Sequence, residues 1–180
     1  MSSVRQRLEH RLLDAFAGYY DIDRREDEPS LLALCSYHSR DSRYVLVKRA
    51  ELWAAERHEY LYLFSSPRMD DGQVERIFRF VLEDGQPRIT PNSQHMCTYL
   101  TALILCDEMD AQTPALLQKL KGRKNFKLSL HGWMEFRIAA VDLSNGALVT
   151  NRCGRELGRE IQRLVSPVLK NCSKGEEKPK

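Results

Sequence analysis

Val4, Leu8, Leu12, Ala15, Phe16 and Tyr19 recur at steps of three and four, with Arg5, Arg7, Glu9, Arg11 and Asp14 filling most of the gaps. That spacing predicts a first helix over about Val4 to Tyr19 with one apolar face. Asp21 to Pro29 is dense in charge and ends in a proline that biases Glu28 away from helical geometry, so a loop is expected there. From Leu31 the period shortens. LLALCSYH, RYVLVKRAELW and HEYLYLFSS read as the three strands of an antiparallel meander. In the last of them Tyr60, Tyr62 and Phe64 alternate with Leu61, Leu63 and Ser65; apolar residues on both faces predict a strand covered on each side.

Asp70 and Asp71 stand before Val74, Ile77, Phe78, Val81 and Leu82, and Gly85 closes the run, which predicts a second helix over about Asp71 to Asp84. Met96 to Cys106 is apolar, rich in β-branched and aromatic residues and without a polar stripe at helical period; a strand is expected. Thr113-Pro114 starts a short third helix that carries Leu116, Leu117 and Leu120 and stops at Gly122. Phe126, Leu128 and Leu130 then alternate with Lys127, Ser129 and His131. Past Gly132 the alternation resumes in Met134, Phe136, Ile138 and Ala140, so the glycine reads as a bend between two strands or inside one. Asn145-Gly146 predicts a type I′ hairpin turn with both residues at positive φ. Leu157, Ile161, Leu164, Val165 and Val168 form a last helical stripe, after which NCSKGEEKPK is polar.

Strands therefore come in runs and not in strict alternation with helices. The order predicts an α+β fold, a mostly antiparallel mixed sheet with helices packed on it and amphipathic helices at both ends. One domain is expected over 1–170, with a disordered polar tail over 171–180. The composition, 42% hydrophobic and 29% charged, fits a globular protein and excludes a fibrous or disordered chain. Met96 to Cys106, the longest uncharged apolar run, is shorter than the roughly 18 to 20 residues that a spanning helix needs. Met1 to Leu13 has no apolar signal-peptide core. A cytoplasmic location and no membrane partner are expected.

Five cysteines, Cys35, Cys97, Cys106, Cys153 and Cys172, are odd in number and never at zinc-knuckle spacing, so reduced thiols and no structural zinc are expected. The net charge of +3 is unevenly spread: residues 1–90 hold 14 Lys+Arg against 16 Asp+Glu, and residues 91–180 hold 14 against 9. Lys119, Lys121, Arg123, Lys124 and Lys127 cluster in a stretch without an acid between Asp110 and Glu135. Lysines and arginines in this density attract phosphates or an acidic partner. His131-Gly132-Trp133 follows directly and adds a ring able to stack on a base.

Other chemistry has fewer residues to stand on. Asp107, Glu108 and Asp110 offer oxygen ligands for a divalent cation, although the same acids suit a strand end before a helix. His95, Cys97, His131 and Cys153 are base and nucleophile types whose convergence the sequence leaves open. Nucleotide-loop, nucleophile-elbow and zinc-protease motifs are absent, and no cofactor is expected. Lys48-Arg49-Ala50-Glu51 and Glu59-Tyr60-Leu61 lie in an opening order of helix, three strands, helix and strand that is similar to the core of the restriction-endonuclease-like nucleases. That resemblance implies an Asp on one strand and Glu-x-Lys on the next, holding Mg²⁺ and the attacking water. The motif is missing here, and Lys48, Glu51 and Glu59 are expected as cross-strand ion pairs on a solvated face.

HMCTYLTALILCDEMD and KNFKLSLHGWMEFRIAAVDLSNGALVTNRCG resemble the C-terminal half of an uncharacterised family of small bacterial proteins, over about residues 95–154. The resemblance carries no catalytic motif and implies a bacterial origin. Two functional readings follow from the residues. The first is a noncatalytic binding module that meets a nucleic acid or an acidic protein through Lys119, Lys121, Arg123, Lys124, Lys127, His131 and Trp133. The second is a metal-dependent phosphodiesterase or nuclease-like hydrolase using Asp107, Glu108 and Asp110.

Overall fold

The computed structural model describes residues 3–42 and 54–175. Helix α1, Val4–Phe16, begins where the Ser3 hydroxyl accepts the Gln6 N–H while the Gln6 side chain accepts the Ser3 N–H, a reciprocal cap for two otherwise free donors. It ends before the expected Tyr19. The charged segment expected to be a loop supplies strand β1, Asp21–Arg24. An edge strand with mostly exposed side chains needs no apolar face, so alternation gave no sign of it.

Strand β1 pairs antiparallel with β2, Leu31–Ser42, which pairs antiparallel with β3, Ala54–Met69. These three form an antiparallel meander that differs from the expected one, because the strands expected first and third pair directly with each other. The middle strand expected over RYVLVKRAELW falls at 43–53, outside the described residues. Helix α2, Asp71–Gly85, starts on the same reciprocal cap, here between Asp70 and Gln73. It returns the chain so that β4, His95–Met109, lies parallel beside β3. After helix α3, Thr113–Lys119, and the short strand β5, Arg123–Asn125, strand β6, Trp133–Asp142, lies parallel on the far side of β4. β5 and β7, Ala147–Thr150, pair antiparallel with the beginning and the end of β6.

The sheet order is β1-β2-β3-β4-β6-β5, with β7 also on β6. Among the described residues four of the six pairings are antiparallel and two parallel, a mixed sheet in an α+β fold. Helices α2 and α3 cover one face, over Tyr62, Phe64, Leu100 and Phe136. α1 and the last helix, α4, Arg155–Gly175, cover the other, over Leu61, Leu63, Leu103 and Val141. β3 and β4 are apolar on both sides for this reason. The terminal helices also touch, with Arg11 Nε donating to the Leu164 carbonyl at 2.7 Å. α4 continues past Asn171, where a polar tail was expected, as far as Gly175, the last of the described residues.

The β6–β7 connection corrects the expected type I′ turn. Asp142 pairs with Ala147 across a loop of four residues, Leu143 to Gly146, and of these only Gly146 has positive φ, +70°. The Asp142 carboxylate organises the longer loop by accepting the Ser144 N–H and hydroxyl and the Asn145 amide.

Candidate interaction surface

The segment between β5 and β6, expected as a strand through Leu130, is instead a tight loop. Lys127, Leu128 and Ser129 have φ of +44°, +53° and +72°, three left-handed residues in a row. Each such non-glycine residue costs roughly 1–2 kcal/mol. Cross-loop bonds offset that cost: Phe126 N–H donates to the Gly132 carbonyl at 3.0 Å, His131 N–H to Phe126 at 3.2 Å, and Leu130 N–H to Lys127 at 3.0 Å. The left-handed run breaks the alternation and sends both leucines outward. Leu128 is 96% exposed and Leu130 77%.

The base of this hairpin is fixed to β4. Gly132 has φ +73°, and a Cβ there would lie 2.3 Å from the Met96 carbonyl oxygen and 2.5 Å from that of His95, so backbone meets backbone. His95 Nδ1 donates to the His131 carbonyl at 2.8 Å, since a carbonyl can only accept. Its Nε2 then accepts from the Thr98 hydroxyl at 2.8 Å. Both nitrogens of His95 are thereby engaged, and His131 acts through its backbone.

The five basic residues do not form one equivalent set. Arg123 pairs across the strands with Glu135, Nη1 to Oε1 at 3.5 Å, and its guanidinium lies 5.3 Å from the Trp133 ring centre. Trp133 is half-buried on the α1/α4 side, and Arg123 lies over one face of the ring expected to stack on a base. Lys124 sits opposite Met134, whose side chain belongs to the α2/α3 core, and its ammonium lies 5.9 Å over the Phe126 ring. Lys119, Lys121, Lys124 and Lys127 are exposed, and among the described residues none is paired with an acid.

Asp107, Glu108 and Asp110 do not converge. Asp107 accepts Arg5 Nε with both oxygens, at 3.1 and 3.0 Å, whereas Asp110 accepts Arg68 Nε at 2.9 Å and Glu108 is exposed. A cleft of about 830 Å³ between α1, α4 and the β6–β7 loop has Asp107 at its wall, but that carboxylate is held by Arg5. Among the described residues no three His, Cys, Asp or Glu side chains form a group able to hold a metal ion.

Among the described side chains, the thiols are also poorly placed for nucleophilic work. Burial pushes Cys35 and Cys106 up to about 12, and it raises Cys97 as well. Burial and then the Glu135 carboxylate, to which Cys153 Sγ donates at 3.1 Å, raise Cys153. A thiol held protonated is a weak nucleophile.

One polar group was misread from sequence. Glu59, expected on a solvated face, is nearly buried, and its partners come from other elements. Arg137 Nη2 donates to its Oε1 at 2.9 Å, Thr101 to the same oxygen at 2.7 Å, and Tyr20 to Oε2 at 3.0 Å. The available signal was a pair of opposite charges, Glu59 just before the apolar run Tyr60 to Phe64 and Arg137 between Phe136 and Ile138. With its carboxylate consumed by these donors, Glu59 acts as a structural anchor. Lys48 and Glu51 lie outside the described residues.

No curated protein and no solved structure matches the chain. The pattern of a domain of unknown function, DUF8052, matches residues 5–163, so the uncharacterised resemblance seen over 95–154 extends through nearly all of the described fold. The chain belongs to the DUF8052 family.

Proposed function

We propose that this domain is a noncatalytic binding module whose β5–β6 hairpin docks onto an acidic protein surface that contains an apolar recess. The observation that carries the reading is the pair Leu128 and Leu130, held in solvent by a left-handed loop whose base is fixed to β4. Exposed large apolar side chains on a rigid projection, rimmed by Lys124 and Lys127, match the apolar centre and polar rim of a protein interface. A loop already ordered before binding loses less entropy on docking. Lys119 and Lys121 extend the positive rim toward α3 and favour an acidic partner.

A protein is favoured over a nucleic acid for a chemical reason. Oligonucleotide binding draws on aromatic stacking, and Trp133 has Arg123 on its ring while Arg123 itself is paired with Glu135. The apolar groups at the tip are aliphatic and give a base nothing to stack on.

The test compares random glutamate–leucine copolymer, polyglutamate and single-stranded oligonucleotide as probes of the full chain, read by fluorescence anisotropy at several salt concentrations. The copolymer is expected to bind best, and Leu130→Ser should reduce it to the level of polyglutamate. Equal binding of the oligonucleotide, unaffected by Leu130→Ser, would contradict the proposal.

A further inference from the structure

His38 on β2 and His58 on β3 are register partners, with ring centres 4.8 Å apart and planes at 63°. Their Nδ1 atoms are 2.7 Å from each other. Two nitrogens at that distance share one proton, so one ring offers a lone pair to the other. On the far side of His58, Nε2 lies 4.0 Å from Glu56 Oε2. A carboxylate there favours N–H at Nε2 and leaves the His58 Nδ1 lone pair facing His38. Asn92 Nδ2 donates to the same Glu56 oxygen at 3.3 Å and helps to hold it.

The third ring of the row supports this arrangement without joining it. His95 stacks on His58 at 5.9 Å with planes 8° apart, and both its nitrogens are bound to His131 and Thr98. It fixes the plane of the His58 ring. His38 is exposed and His58 partly so, which leaves the paired nitrogens accessible from solvent.

We propose that His38 Nδ1 and His58 Nδ1 form a two-histidine site for a divalent transition-metal ion, with Glu56 as the carboxylate behind His58. Binding displaces the shared proton from His38 Nδ1, and Nε2 of the same ring carries a proton in its place. Both imidazoles remain neutral and each gives one lone pair. At metal–nitrogen distances of about 2.0–2.1 Å, nitrogens 2.7 Å apart subtend roughly 80–85° at the ion. That is near the right angle of octahedral or square-planar coordination and far from the tetrahedral angle. Cu²⁺ and Ni²⁺ accept that geometry, and Cu²⁺ also stands highest in intrinsic affinity for nitrogen ligands, so both should bind more tightly than Zn²⁺. Water fills the remaining positions.

The experiment uses the full chain after chelator treatment, titrated separately with Cu²⁺, Ni²⁺ and Zn²⁺ by calorimetry, with the Cu²⁺ complex examined by electron paramagnetic resonance. The expected result is one tight Cu²⁺ equivalent with nitrogen hyperfine structure from two imidazoles, and weaker Zn²⁺ binding. His38→Gln and His58→Gln should each weaken Cu²⁺ by at least about tenfold, Glu56→Gln by about tenfold, and exposed His10→Gln not at all. Circular dichroism of each metal-free variant establishes that it is folded. If His58→Gln does not fold, the exposed His38→Gln decides. Absence of a tight equivalent, or native-like affinity in folded His38→Gln, would overturn the proposal. Because the hairpin leucines take no part, failure here leaves the docking surface standing.

Discussion

The guanidinium of Arg137 on β6 reaches across the intervening strand β4 to the Glu59 carboxylate on β3, with both side chains about seven-eighths buried, at 12% and 13% exposure. Tyr99 of β4 lies beneath it, its ring centre 3.5 Å from the guanidinium carbon, and Arg137 Nε is buried without a partner. The pair thus clamps the central parallel strands at an end where polar groups replace the apolar core.

Removing one member of such a pair strands the other charge in a site of low polarity. Glu59→Leu alone should destabilise by about 3–5 kcal/mol in urea unfolding, whereas Glu59→Leu with Arg137→Met should regain most of that loss. A single variant within about 1 kcal/mol of the native chain would show that the pair is solvated and not an anchor.

Asp84 gives a prediction in pH. Burial by itself raises its carboxyl, but hydrogen bonds from Arg25, Arg88 and Tyr62 outweigh that and hold it well below the usual carboxylate range. A depressed folded-state value contributes stability above the unfolded value near 4, and the contribution is lost as pH falls below it. Stability should therefore decline from about pH 4 downward. In Asp84→Asn that part of the decline should disappear, at a cost of about 1–3 kcal/mol near neutral pH. An unchanged acid slope in the variant would rule Asp84 out as its source.

Two glycines of positive φ separate strain from space. At Gly146 a Cβ meets nothing nearer than Leu169 at 3.7 Å, so Gly146→Ala carries only the left-handed cost of about 1–2 kcal/mol. At Gly132 the same atom collides with β4 backbone, and the loss should exceed about 3 kcal/mol. Thermal melts of the two variants rank them. Equal melting temperatures would mean that the hairpin base is not packed against Met96 as described.

The cysteines separate by access. Cys35, Cys97 and Cys106 are buried, and Cys153 is partly exposed but held protonated. Iodoacetamide on the native chain should leave the three buried thiols unlabelled and react slowly with Cys153, while the unfolded chain without reductant should take up five adducts. A persistent deficit of two adducts would reveal a disulfide.

What could be read from sequence follows from where burial imposes a pattern. α1 and α2 each bury a periodic apolar stripe, and β3 and β4 bury both faces as continuous apolar runs, so their residues announced them. β1 was hidden because Ile22 is the one apolar residue of the edge strand Asp21, Ile22, Asp23 and Arg24, too few to show an alternation. The loop after Asn125 misled in the opposite sense. Phe126, Leu128 and Leu130 alternate like a buried strand, yet two of the three face solvent, because the backbone turns left-handed at residues with no propensity for it. The surface cations were legible as a cluster. Their division was not, since it depends on which cross-strand neighbour, Glu135 or Met134, each one meets.

Leu128 and Leu130 decide the central claim. If their purpose is docking, Leu128→Ser with Leu130→Ser should leave the melting temperature of the isolated chain within about 1 °C of native, because almost no apolar area is lost from a core. Binding of the glutamate–leucine copolymer, followed by anisotropy on the same samples, should fall by at least about tenfold, or about 1.4 kcal/mol. Undiminished copolymer binding by this stable variant would contradict the account.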